Sequence, residues 1–128
     1  MILVHLAHGF EEVEALTSVD IMRRAGLDAH LVSMGDDILV EGSHGIVVKA
    51  DFMFKDVDYS KCEMIVLPGG LPGAHNLRDH QGLRQEIKNF AEEGKGLAAI
   101  CAAPLVFGDL GILEGRKATI YPGMEEEL

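Results

Sequence analysis

The chain has 128 residues, 48% of them hydrophobic and 25% charged, with 15 glycines. This suits one folded domain with its own core and excludes disordered and fibrous classes. Eleven basic residues against 21 acidic ones give a formal net charge of −10, which repels polyanions and argues against general nucleic-acid binding. No apolar run reaches the roughly 18 residues of a membrane span. The opening segment has no basic region or cleavage site of a leader. Cys62 and Cys101 form no CxxC pair, so the sequence predicts a soluble protein of a reducing, cytoplasmic compartment without a disulfide framework.

Ile2 to Ala7 is an almost wholly apolar run and reads as a central parallel strand. His8-Gly9-Phe10 forms a turn. Glu11, Glu12 and Glu14 open a helix that runs to about Ala25, with carboxylates at its positive end and Gly26 as its stop. Val13, Leu16, Val19 or Asp20, and Met22-Arg23 supply its helical period. Leu27 to Met34 alternates as a second strand. Ile38 to Ala50 holds two extended runs around Glu41 to Gly45, a hairpin pattern. Asp51 to Lys61 is a link with a short turn. Met64 to Leu67 is a buried strand that ends in Pro68-Gly69-Gly70. Gln81 to Glu93 is a helix with Leu83, Ile87 and Phe90-Ala91 on one face and Gly94 as its cap. Gly96 to Ile100 is a buried strand, Ala102 to Leu110 a helix, and Lys117 to Ile120 begins one more strand.

Strand and helix alternate throughout, which predicts an α/β fold with a mostly parallel sheet covered on both faces. Ligands bind such sheets beyond the carboxyl ends of the strands. His8 to Glu11, Pro68 to Gly70, and Cys101-Ala102 all reach that edge. The chain stops at Met124 to Leu128, just after a new strand and an acidic segment. This reads as a fragment of a longer domain or a cleavage product, against the alternative of a small complete domain.

Cys101 lies between a buried strand and a helix, on an elbow where the following N–H groups and the helix dipole favour thiolate and lower the thiol pKa. Ala102 and Ala103 leave those N–H groups open to an anion. Placement alone leaves a buried, inert thiol as an equal reading. Pro68 to Gly73 matches neither glycine-rich phosphate-loop pattern. It serves either as a tight turn or as a source of a backbone N–H near a developing oxyanion, and the two are compatible. Glu14, if turned inward beneath the sheet edge, would be desolvated, protonated, and hydrogen-bonded to the sulfur. His5 and His8 are three residues apart, and none of the six histidines makes a metal motif. His8 and His75 either border the pocket or are solvated loop residues. His44 in the hairpin belongs to a surface or a partner contact, and Cys62 reads as structural.

Several separated motifs occur in order: Gly9 to Glu14, Val19 to Gly26, Val66 to Gly70, Gly73 to Leu77, and Ala98 to Pro104. On these the chain resembles the ThiJ/PfpI superfamily, which is related to class I glutamine-amidotransferase domains. The resemblance is closest to the branch of the parkinsonism-associated deglycase and its bacterial relatives. It implies a flavodoxin-like three-layer sandwich with a nucleophile elbow. Residues 1–128 would form an incomplete, N-terminal two-thirds of the family domain, whose last third supplies further strands and a helix.

The resemblance implies Cys101 as nucleophile and redox-sensitive residue, Glu14 as its hydrogen-bonded carboxyl, and Gly70 and Ala102 as backbone donors. Gly69, His8, His75 and Tyr121 would stand at the pocket rim. Peptidase and amidotransferase relatives carry histidine after the nucleophile. Ala102 stands there, and Tyr121 stands where some closer members place another histidine. No cofactor is implied. A homodimer is implied through the first helix and hairpin, with Asp20, Arg24 and His44 at its interface. The first function reading is a cofactor-independent, glyoxalase- or deglycase-like enzyme for α-oxoaldehydes such as methylglyoxal or their early glycation adducts. The second is an oxidative-stress sensor or chaperone-like protein that uses Cys101 oxidation. The third is a non-catalytic structural domain, with the missing C-terminal segment as a possible separate partner.

Overall fold

The computed structural model describes residues 1–128. β1 (Ile2–Leu6) is buried along its whole length, as an apolar run must be when both its faces and both its edges are covered. Its parallel neighbours are β2 (Ala29–Ser33) and β6 (Met64–Leu67), with Val4 opposite Leu31 on one side and Val66 on the other. β5 (Phe52–Met53) and β7 (Gly96–Ala99) complete a parallel sheet in the order β5-β2-β1-β6-β7. The chain builds outward from β1 to β5, then returns and builds the other way through β6 and β7. The order therefore reverses between β1 and β6, where the departing loops diverge and leave a crevice. β7 has no strand on its outer side.

Successive side chains of β1 enter opposite layers. Ile2, Val4 and Leu6 pack with Ala15 and Val19 of α1 (Glu12–Arg24). Leu3 packs on the other face with α2 (Gly73–Asp79), α3 (Gln81–Glu93) and α4 (Pro104–Asp109), through Leu77, Leu83, Ile87, Phe90 and Leu105. This is the expected flavodoxin-like three-layer sandwich. α3 carries the pattern read for it: Leu83, Ile87 and Phe90 are buried, and Gly94 ends it at φ 71°. β3 (Leu39–Glu41) and β4 (Val47–Lys49) form the expected hairpin as a separate antiparallel pair, with Val40 opposite Val48.

Three readings need correction. In α1 the stripe holds at Val19 and Met22, but its first two members lie one residue earlier than read. Glu12, Ala15 and Val19 face inward, whereas Val13 is 68% exposed and Leu16 36%. Small Ala15 lets the helix sit close to the sheet, and Glu12 turns toward the hairpin. Second, Lys117 to Ile120 joins no sheet. Ile120 is buried, and the segment is tied by one bond from the Tyr121 N–H to the Cys101 carbonyl, 2.8 Å. Third, α2 has no counterpart in the sequence reading, because Pro72 and Gly73 punctuate its start and it is only seven residues long.

One buried polar pair is built into the core. His5 is fully buried, with Nε2 2.8 Å from the Tyr59 hydroxyl and Nδ1 3.3 Å from the Val66 carbonyl. Nδ1–H therefore donates to Val66, and Nε2 accepts from Tyr59. Burial pulls the imidazole down from 6.5 to about 4. The unfolded chain takes up its proton near pH 6.5 and the folded one only near pH 4, so stability falls as pH drops through that window, by about 3 kcal/mol. Denaturant titrations across it should show the loss. The His5→Leu/Tyr59→Phe double variant, which removes both polar partners, should flatten the profile; an unchanged slope would acquit His5.

Candidate active site

The loops that leave β1, β6 and β7 meet at the crevice. The Glu11 N–H donates to the Gly69 carbonyl at 2.8 Å, the Gly73 N–H to the Gly9 carbonyl at 3.1 Å, and the Ile100 N–H to the Leu67 carbonyl at 3.2 Å. Such close approach requires glycine. A Cβ on Gly69 would lie 2.6 Å from Glu14 Oε1 and 2.7 Å from the Cys101 Cβ. Gly70 has φ +90°, and a Cβ there would lie 2.5 Å from the Glu11 nitrogen.

Cys101 follows β7 at φ 61°, the single non-glycine residue with positive φ. That left-handed conformation is disfavoured for a side-chain-bearing residue and marks a sharp elbow. The helix predicted from Ala102 begins only at Pro104, so Cys101 to Ala103 form a turn. Glu14 Oε1 accepts the Gly69 N–H at 2.8 Å. The same carboxyl group acts on the sulfur, as do the N–H groups of Ala102 and Gly70.

Burial, then the charge and hydrogen bond of Glu14, push the Cys101 thiol above its ordinary value, while the Ala102 and Gly70 N–H groups pull it down. The sequence reading of a lowered pKa is thus reversed. A carboxylate and desolvation outweigh two backbone donors, and the helix end stands three residues further on.

The rim residues are placed as follows. His8 is exposed, and its carbonyl accepts from Asn76 Nδ2 at 2.9 Å. His75 is half-buried on α2, and Tyr121 is 56% exposed beyond its backbone tie to Cys101. Other histidines turn elsewhere: His5 to Tyr59, His80 to the Leu83 N–H, and His44 to Glu12. Asp20 pairs with Arg24 one turn along α1 at 3.0 Å, both exposed. His44 sits at the opposite, N-terminal end of that helix, so one chain does not bring the three together.

Two neighbours of Glu14 matter more than their exposure in the sequence suggested. Glu11 caps α1, its Oε2 accepting the Glu14 N–H at 2.9 Å. Glu12 is only 3% exposed and accepts from the His44 and Ile46 N–H groups at 2.9 and 3.2 Å. It also accepts from the His44 ring at 2.9 Å and the Ser43 hydroxyl at 3.3 Å. Desolvation would raise its pKa, but these bonds, led by the His44 ring, hold it at about 2. The signal was available: Glu12 shares the helical stripe of Ala15 and Val19. Ligand atoms of Glu11, Glu12 and His44 lie within 4.8 Å of one another, but donors already occupy both Glu12 oxygens, and we assign no metal there.

A cleft of about 530 Å³ against Leu97, Phe107, Ile112 and Leu113 does not include Cys101. Its lining has no cysteine, serine or histidine, whereas the elbow sets a thiol beside a carboxyl group. Glu14→Gln should lower the Cys101 pKa, read from thiolate absorbance against pH, because it removes the charge that favours the thiol. Gly69→Ala should cost about 1–3 kcal/mol of stability by driving a methyl group between Glu14 and Cys101. A Glu14→Gln thiol that titrates no lower than the wild type would refute this account of the pair.

The DJ-1/PfpI family profile matches residues 1–128. Protein DJ-1 homolog B of Arabidopsis thaliana is 41% identical over 99% of this chain, which spans 29% of that protein's length. The Deglycase PfpI of Pyrococcus furiosus is 30% identical over 99% of this chain and 75% of its own. The structure of oxidized Toxoplasma gondii DJ-1 superposes with a TM-score of 0.95 at 39% identity, covering 99% of this chain and 70% of that one. Fold, elbow and sequence agree: the chain belongs to the DJ-1/PfpI family.

Proposed function

We propose that the chain carries the reacting centre of a cofactor-independent, glyoxalase- or deglycase-like enzyme acting on α-oxoaldehydes such as methylglyoxal or their early glycation adducts. The observation that carries this reading is the Cys101 thiol at a left-handed elbow, with the Glu14 carboxyl and the Gly70 and Ala102 N–H groups around its sulfur. The name deglycase borne by the Pyrococcus furiosus relative supports it.

A thiol that is neutral at rest needs a base at the moment of attack. Glu14 takes the Sγ proton as the S–C bond to the aldehyde carbon forms, and the carbonyl electron pair moves to oxygen. The Gly70 and Ala102 N–H groups stabilise that oxyanion, which then takes a proton to give the hemithioacetal. Glu14 moves a proton from the former aldehyde carbon to the neighbouring ketone carbon through an enediol, leaving a thioester. Water hydrolyses the thioester, releasing a hydroxy acid and restoring the thiol. The aldehyde carbon is oxidised and the ketone carbon reduced, so no external redox partner is needed. With Ala102 where peptidase relatives carry histidine, the carboxylate is the proton carrier.

Methylglyoxal should be converted to lactate. Cys101→Ser should abolish turnover by about 10³-fold or more, and Glu14→Gln should lower it by about 10²–10⁴-fold, with folding checked by circular dichroism. Full turnover by a folded Cys101→Ser protein would end the proposal. The same cradle supports a second reading, oxidation of Cys101 by two equivalents of peroxide to a sulfinate, each releasing water. The oxidized form of the Toxoplasma gondii relative favours it. The reading also takes a second copy of the chain as partner. Exposed Val13, Ile21, Ile46 and Val47 on α1 and the hairpin support this, and sedimentation should give a dimer that Val13→Glu weakens; a wild-type monomer would count against it.

A further inference from the structure

His44 stands in the turn of the β3–β4 hairpin and is the one cationic candidate on the acidic first turn of α1. Its Nδ1 is 2.9 Å from Glu12 Oε1 and 3.5 Å from Glu11 Oε1. The hairpin is fitted to this spot. The Ser43 N–H donates to the Phe10 carbonyl at 2.8 Å and the Gly9 N–H to the Glu41 carbonyl at 2.9 Å. A Cβ on Gly42 would overlap the Glu12 carboxyl group.

From Glu11 a closed set of contacts leads to the elbow. Glu11 Oε2 accepts the Glu14 N–H at 2.9 Å, and the Glu11 N–H donates to the Gly69 carbonyl at 2.8 Å. The Gly69 N–H in turn donates to Glu14 Oε1 at 2.8 Å, and Glu14 lies beside Cys101. Glu11 and Glu12 act on the ring from α1. Glu41 of β3 borders the turn, its Oε1 4.0 Å from where a Gly45 Cβ would lie. The Ala7–Phe10 loop contributes exposed His8, and Lys49 is at the far end of β4.

We propose that His44 is a positioning residue whose charge state, passed through Glu11 and the Gly69 loop, sets the geometry around Cys101. This rests on the reading of Cys101 and Glu14 as the reacting pair. With the imidazolium present, the hairpin is held on α1, and the carboxylates of Glu11, Glu12 and Glu14 share one turn with a counter-charge. When the ring loses its proton, a neutral Nδ1–H still donates to Glu12, but the counter-charge is gone. Repulsion within the turn then acts on Glu11, and Glu11 holds both Glu14 and Gly69. The Glu12 hydrogen bond, then the Glu12 and Glu11 charges, raise the His44 pKa above 6.5. The latch is therefore complete below pH 6.5 and is lost as pH rises through that raised value.

The test follows the Gly69 amide resonance and the His44 ring proton between about pH 5.5 and 8.5, with Cys101 alkylation by iodoacetamide in parallel. It compares wild type, His44→Gln and His44→Arg. In the wild type the Gly69 amide should move with the midpoint of His44. Across that midpoint the ratio of wild-type to His44→Gln alkylation rates should change by about two- to fivefold, the range of exposed charge pairs, and about 1 M salt should compress the change. His44→Gln should hold the high-pH position of the Gly69 amide and His44→Arg the low-pH position, neither with a step. A wild-type Gly69 amide without a step at the His44 midpoint, or a step that persists in His44→Gln, overturns the proposal. Methylglyoxal turnover is scored separately: a step without turnover sinks the enzyme reading and leaves the coupling, and turnover without a step does the reverse.

Discussion

Gly69 and the start of α1 exchange a pair of hydrogen bonds across the crevice between β1 and β6. The Glu11 N–H meets the Gly69 carbonyl and the Gly69 N–H meets the Glu14 carboxylate, each at 2.8 Å. Strand order reverses at this seam, so the two loops would otherwise diverge. The exchange clamps them together and fixes the direction in which α1 leaves. It also accounts for the absence of a side chain at position 69, where a methyl group would collide with both Glu14 and Cys101. β7 then delivers Cys101 to a place already shaped by the other two strands.

The three glutamates of this seam show how environment, more than residue type, assigns a role. Glu11 spends one oxygen on a helix cap. Glu12 is buried, yet stays ionised because side-chain and backbone donors surround it. Glu14 turns toward a sulfur and makes it a weaker acid. A thiol with a carboxylate neighbour keeps its proton more firmly, unlike a thiolate paired with a protonated histidine. The arrangement suits a chain whose elbow is followed by Ala102 and whose His5, His44 and His80 rings are bonded elsewhere.

The layered fold was legible because buried strands such as Ile2 to Leu6 and the stripe Leu83, Ile87, Phe90 carry unambiguous apolar patterns. The elbow was legible from Cys101 following an apolar strand, although that strand lies at the sheet edge and is half-buried rather than buried, and the hairpin from its glycine-rich turn. What escaped depends on contacts between segments far apart in sequence. The inward turn of Glu12 needs hairpin N–H groups 32 and 34 residues away. The rise in the thiol pKa needs the Glu14 carboxylate brought from α1 and the actual start of α4. The reading of Lys117 to Ile120 failed because β-propensity does not supply a neighbouring strand, and α2 was hidden by the proline and glycine that begin it.

The backbone at Cys101 has a consequence for how this chain can change. An L-residue in the left-handed region is held there by its surroundings against a cost of about 1–2 kcal/mol. Glycine would relax that cost. Selection for robustness alone therefore pushes position 101 toward glycine, and a lineage that kept its fold but abandoned thiol chemistry would drift to a sturdier protein by losing the one side chain its elbow presents. Cysteine at φ 61° thus carries a backbone cost that glycine at the same place would not.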